Sequence, residues 1–235
     1  FSNPQKNPLN RDPRTKKQIK AYREKERNRQ QLIQEKRQHQ KNKESLLSQA
    51  VINKMRIKLP DNVMEIKGMT EDERIRIEKA ITLIEKQYDL QIGEMHVESL
   101  GPGEKNTYFV VGPYKTESGL KMGLVINTDI DYTTIENRIQ ERYGSGFFAA
   151  KNLEDCVVHE MAHILTFQGC KTYEEYKVLH EKISSSFILG VSGYSDKSRD
   201  GVETLAEAFV KYRNGEKIPF PMKRLIKKYI ERWKK

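Results

Sequence analysis

The chain has 235 residues, 36% of them hydrophobic, and a formal net charge of +10. That is enough for one sizeable core plus an appendage, but not for two large domains. The charge sits at the ends. Residues 14–44 hold twelve Lys/Arg against four Asp/Glu, and residues 223–235 hold seven against one. The middle is therefore net acidic, and overall basicity is no argument for a nucleic-acid protein. No apolar run approaches a membrane span and no signal-peptide core is present, so a cytoplasmic location with no membrane partner is expected. Cys156 and Cys170 are too few for a disulfide framework and are expected to stay reduced, neither serving as a metal ligand.

In chain order, residues 1–13 contain Pro4, Pro8 and Pro13 and predict an extended lead-in. Residues 14–49 are rich in Lys, Arg, Glu and Gln without Gly or Pro, a helix-favouring composition whose sparse apolar residues exclude a sustained coiled coil. Pro60 and Asp61 mark a boundary, so residues 1–58 read as a basic, largely helical arm and 59–235 as the folded domain. Thr70, with Glu71, Asp72 and Glu73 after it, predicts a helix start. That helix runs to about Tyr88, with Ile75, Ile77, Ala80, Ile81 and Ile84 on its buried face. Strand-like runs follow at Glu94–Glu98, Thr107–Val111 and Leu120–Ile126, with turns at Gly101-Pro102-Gly103 and Gly112-Pro113. Asn152 is a suitable N-cap for the next helix, and further helices are expected at Tyr173–Phe187, Asp200–Tyr212 and Met222–Trp233. The fold class is α+β.

The helix after Asn152 carries His159-Glu160-Met161-Ala162-His163, an HExxH pattern. Positions i and i+4 share one helix face, so both imidazoles address one point, as a zinc ion requires. Glu160, rotated about 100° from His159, suits a general base acting on water better than a ligand. Val157, Val158, Ala162, Ile164, Leu165 and Phe167 around the triplet predict a buried helix, where unpaired polar groups are costly. Catalytic zinc needs a third protein ligand. His180 lies among Glu174, Glu175 and Glu181 and reads as a surface residue. The acids Glu203 and Glu207, four apart on an apolar-anchored helix, fit better: one to bind metal, the other to accept a ligand histidine's N–H.

HExxH, then Tyr194-Ser195, then Glu203-Thr204-Leu205-Ala206-Glu207-Ala208-Phe209, resembles the gluzincin-type catalytic domain of the anthrax lethal factor family and of related clostridial and phage-encoded peptidases. The resemblance covers roughly residues 152–212. It implies a zincin-like fold and a zinc endopeptidase. Glu203 would be the third ligand, Glu207 the acid behind a ligand histidine, and Tyr194 the phenol that stabilises the oxyanion. The stretch from Tyr194 to Glu203 is longer than in that family, which leaves Tyr212 as the alternative phenol. In such enzymes zinc acidifies a water, and Glu160 would take its proton and return it to the leaving amine. The peptide substrate would pair with an edge strand preceding the metal helix, for which Leu120–Asn127 is the candidate. Loops between Asp129 and Phe148 would set specificity.

The arm, with Tyr22-Arg23-Glu24-Lys25-Glu26-Arg27 and Gln34-Glu35-Lys36-Arg37, resembles the basic tail of phage minor capsid proteins. That implies a head-associated module with portal or capsid partners bound through residues 1–58. Two other settings are a virion structural protein with a non-catalytic zinc site and a lethal-factor-like secreted or injected toxin. Non-specific nucleic-acid binding by residues 14–44 is a weaker alternative partner.

Overall fold

The computed structural model describes residues 57–104 and 106–235. The arm and the capsid or nucleic-acid contacts expected of it lie outside the described residues, apart from its last two positions.

A 3-10 turn, Asp61–Glu65, lays Leu59, Val63, Ile66 and Met69 into the core. The segment is pinned by the buried carboxylate of Glu78, which accepts from Leu59 N at 3.1 Å and from Arg74 Nη1 at 2.8 Å. Helix α1, Glu71–Gln87, opens on a capping box: Thr70 Oγ1 accepts from Glu73 N, and Thr70 N donates to Glu73 Oε2. Its inner face is Ile77, Ala80, Ile81 and Ile84 as expected, with Ile75 only half-buried.

Three strands follow: β1 (Ile92–Glu98), β2 (Phe109–Thr116) and β3 (Gly119–Asn127). Their order is β1-β3-β2, with β1 parallel and β2 antiparallel to β3. Two corrections to the sequence reading arise here. Gly112-Pro113 is not a turn but the middle of β2. A proline is tolerated there because β2 is an edge strand. Leu120–Asn127 is not an edge but the centre of the sheet, its backbone engaged on both sides.

A helix not expected from sequence, α2 (Ile135–Gly144), comes next, burying Ile135 and Ile139. The guanidinium of Arg76 on α1 bridges Glu136 on α2 and Glu154, the latter through Nε at 2.8 Å. Helix α3 (Leu153–Phe167) is capped by Asn152, whose Oδ1 accepts from Asp155 N at 2.9 Å. Twelve of its fifteen residues are buried, so it is the core helix of the domain. It packs on α1, on the sheet, and on α6. Helices α4 (Tyr173–Ser184), α5 (Gly193–Ser198) and α6 (Gly201–Arg213) complete the side that faces the site. The expected C-terminal helix is α7 (Phe220–Leu225), a π turn at Ile226–Ile230, and a 3-10 turn at Glu231–Trp233. It closes back on the core, with Trp233 Nε1 donating to Leu165 O at 2.7 Å. Among the described residues no helix is long and apolar enough to cross a membrane.

Helix α6 is held close to α4 by Gly201. A Cβ there would lie 2.0 Å from Ile183 O and 2.9 Å from Phe187 N and Ser184 O, all backbone atoms that cannot rotate away. Gly201→Ala should therefore lower stability by at least about 1–3 kcal/mol and displace the helix that carries Glu203 and Glu207. Thermal melting checks this; an unchanged midpoint would contradict the packing described.

Candidate metal centre and cleft

Helix geometry places His159 and His163 one turn apart on α3, and the packing of α6 across α3 brings Glu203 and Glu207 to them. The Nε2 atoms of the two histidines are 3.1 Å apart. Glu203 Oε2 lies 3.1 Å from His159 Nε2, and Glu203 Oε1 lies 3.7 Å from His163 Nε2. Glu207, 2% exposed, has Oε1 2.9 Å from His159 Nδ1, while its Oε2 accepts from Ala149 N at 2.8 Å. The sequence left open which acid would face the ligand point. In the fold it is Glu203 that shares a point with both imidazoles, and Glu207 that sits behind His159.

This arrangement passes a chemical test for a cation site. In its neutral form His159 gives its Nδ1–H to Glu207 and keeps the Nε2 lone pair for a cation, whereas without a cation the neighbouring carboxylates favour the protonated ring. That lone pair faces a second imidazole nitrogen and a carboxylate, an assembly of acceptors that a metal ion would satisfy. A tetrahedral ion with bonds of about 2.0–2.1 Å requires ligand atoms about 3.3 Å apart, and the observed spacings bracket that value. His159, His163 and Glu203 together can hold a metal ion.

Electrostatics agree with the division of roles. Burial opposes a charged His159 ring, but the hydrogen bonds to Glu203 and Glu207 outweigh it and hold the imidazole well above its ordinary pKa. Burial likewise opposes ionised Glu203, yet His163 and His159 hold that carboxyl well below the usual range. Glu160 is half-buried, and among the described residues its carboxyl makes no hydrogen bond or ion pair. Desolvation pushes its carboxyl up to about 7; the two histidines pull it down, and Glu203 and Glu207 add to the rise. A carboxyl near neutrality beside three ligand atoms is suited to exchanging protons.

Tyr194 borders the same point. Its position is set by backbone pairing, with Gly193 N donating to Gly146 O at 2.9 Å and Tyr194 N to Phe147 O at 2.7 Å. Its ring meets Phe148 and His159 edge-on, with centroids 5.7 and 6.1 Å away. Burial, then the charges of Glu203, Glu160 and Glu207, raise its pKa, so the hydroxyl keeps its proton. Tyr212 is elsewhere: its hydroxyl donates to Glu231 Oε1 at 2.9 Å at the far end of α6. His180 corrects the sequence reading. It is half-buried rather than a surface residue, stacks on Phe167 at 5.8 Å, and lines the cleft without joining the ligand group. Both cysteines are free and buried, and neither belongs to that group.

Two hollows meet at this point, of about 410 and 170 Å³, and Thr107, Phe109, His159, Glu160 and Tyr194 border both. The larger is walled by Tyr108, Phe147, Phe148 and Cys156, the smaller by Val111, Met122, Tyr176 and His180. The segment expected to set specificity, 129–148, thus reaches the cleft only through Arg142, Phe147 and Phe148. Tyr108, Tyr176 and Phe167 are lining residues that the sequence reading does not contain; for Tyr176 the aromatic content of α4 is the available signal.

The cleft runs beside the free edge of β2. The β2–β3 hairpin closes on Thr116 and Gly119 through a two-residue turn. The closing pair of such a hairpin is hydrogen-bonded, so Tyr114, Gly112 and Val110 bond to β3 in alternation. Phe109, Val111, Pro113 and Lys115 then turn their backbone groups outward. Pro113 costs the sheet no hydrogen bond, and Phe109 and Val111 offer theirs beside the site.

No family model matches the chain, and none of the curated proteins or solved structures compared with it does.

The contact from Glu207 carries an expected result. Glu207→Gln preserves volume but weakens the acceptor that fixes the His159 tautomer, so metal affinity should fall about 10–100-fold. Competition with a chelator of known affinity measures it; unchanged affinity would show that Glu207 plays no part in holding the site.

Proposed function

We propose that the chain is a zinc-dependent endopeptidase with a zincin-like, gluzincin-type domain, in which His159, His163 and Glu203 hold the metal. One observation carries the reading: two imidazole nitrogens and a carboxylate converge, beside a protonatable Glu160, where two hollows and an open strand edge meet. A two-histidine, one-carboxylate set suits zinc with a position left for chemistry.

Zinc bound there would supply Lewis acidity, polarising the scissile carbonyl and acidifying a water. The residues of the chain do the rest. The N–H and C=O groups of Phe109 and Val111 bind the peptide backbone by strand addition to β2, taking the place first expected for Leu120–Asn127. The hollows on either side accept the flanking side chains. Glu160 takes a proton from the attacking water and delivers it to the leaving amine. The Tyr194 hydroxyl, kept protonated, donates to the oxygen on which negative charge develops. Glu207 keeps His159 in one tautomer throughout.

Tyr194→Phe should accordingly lower kcat by about 10²–10³-fold with little change in KM, because the hydroxyl acts where charge appears rather than on bound substrate. Steady-state kinetics on a cleaved peptide read this directly. The reading as a whole is tested by exposing the zinc-loaded chain to a random peptide library. Cleavage that a chelator stops and zinc restores is the expected result. Stoichiometric zinc without cleavage of any peptide would leave a non-catalytic metal site and overturn the enzyme.

A further inference from the structure

The charge of this chain is segregated in a way that the metal site does not use. Residues 57–235 sum to −1, yet residues 223–235 alone carry +6, so 57–222 carry −7. The basic segment is α7 with the two turns that continue it. Met222, Ile226, Tyr229 and Ile230 are buried, while Lys223, Arg224, Lys227, Lys228, Arg232, Lys234 and Lys235 are exposed. Its one acid, Glu231, accepts the Tyr212 hydroxyl. Lys223, Arg224, Lys227, Lys228 and Lys234 make no ion pair among the described residues. An acidic domain thus gathers uncompensated, exposed cations in one short segment, against their mutual repulsion.

We propose that this face, residues 220–235, docks on the phosphate backbone of duplex nucleic acid. Lys223 and Lys227, like Arg224 and Lys228, are four residues apart, roughly one helical turn, across α7 and the π turn that continues it. A duplex presents one negative charge per about 1.7 Å, so several phosphates lie within reach of such a row. The cations are mostly lysines, point charges that bind phosphate without geometric selection. Phe220 is the one exposed aromatic of the segment; a single-strand site would need several for base stacking. An anionic lipid surface also attracts exposed lysines, so tighter binding of anionic vesicles than of the duplex at equal salt would assign the face to a membrane and overturn the proposal. The chain's own residues 1–56 sum to +11, the same sign as this face, and offer it no charge complement.

The test is fluorescence anisotropy of a labelled duplex of about 20 base pairs with the full chain, between about 50 and 200 mM salt, where each neutralised phosphate contributes about 0.9 to the log–log slope. Four substitutions together, Lys223→Gln, Arg224→Gln, Lys227→Gln and Lys228→Gln, should reduce the slope by about 3–4 and weaken binding at least about tenfold. Each change alone should reduce the slope by about 0.9, which protects the result against a misfolded quadruple variant. Changing the exposed Lys121, Lys171, Lys177 and Lys182 to Gln should leave the slope as it is. An unchanged slope in the α7 variants would assign any binding to residues 1–56 and overturn the proposal. So would an equal fall in the control set, which would mean that net charge alone governs binding. Tighter binding of poly-glutamate than of the duplex at equal salt would assign the face to an acidic protein and overturn it too.

Discussion

Glu160→Gln is expected to abolish peptide cleavage, by about two to four orders of magnitude, while leaving one zinc bound per chain. The carboxamide matches the carboxylate in shape but cannot accept a proton from water. Glu160 is not among the three residues whose ligand atoms converge, so the metal should stay. A second consequence concerns stability. The Glu160 carboxyl is raised from 4.5 to about 7, first by burial and then by Glu203 and Glu207 against the pull of the histidines. An acid whose folded pKa is raised destabilises the fold as it ionises. That cost is absent below about pH 4.5, grows between 4.5 and 7, and is complete above. In chelator-treated protein, Glu160→Gln should therefore melt no lower than the parent at pH 8, with any advantage vanishing in acid. Retained proteolysis in this variant would remove Glu160 from the mechanism.

Glu203→Ala is expected to cost both metal and activity. Among the described residues its carboxylate is the only one within reach of both ring nitrogens, at 3.1 and 3.7 Å, and it is the negative charge that would balance a cation bound there. Loss of a ligand should weaken zinc binding by more than the 10–100-fold expected for the supporting Glu207, and cleavage should fall to background at substoichiometric zinc. Zinc titration of the two variants side by side decides the order. If the Glu207 variant lost more zinc than the Glu203 variant, the two acids would have exchanged roles.

What the sequence disclosed follows from range. His159, Glu160 and His163 were legible because their relation is one helical turn, and so was the Glu203–Glu207 pair. The caps at Thr70 and Asn152 are likewise local, and both form as read. The order of the strands was not legible. Joining β1 to β3 in parallel, with β2 outside, depends on pairing between segments that are not consecutive, and it turned the expected edge strand into the central one. Gly112-Pro113 looked like a turn because proline interrupts a ladder, except at an edge position whose N–H faces outward. Helix α2 was missed because only Ile135 and Ile139 mark its inner face. His180 was misjudged from its acidic neighbours, which are on the exposed side of α4 while its ring stacks inward on Phe167. Which tyrosine borders the metal point depended on the pairing of Gly193 and Tyr194 with Gly146 and Phe147, a contact across more than forty residues that no local pattern encodes.

X-ray absorption spectroscopy of the zinc-loaded chain reads the proposed ligand set directly. The expected first shell is nitrogen and oxygen only, at about 2.0–2.1 Å, with the outer-shell signature of two imidazoles, lost on substitution of His159 or His163. A sulfur neighbour at about 2.3 Å, which would bring Cys156 or Cys170 to the metal, or no ordered zinc at all, would contradict it.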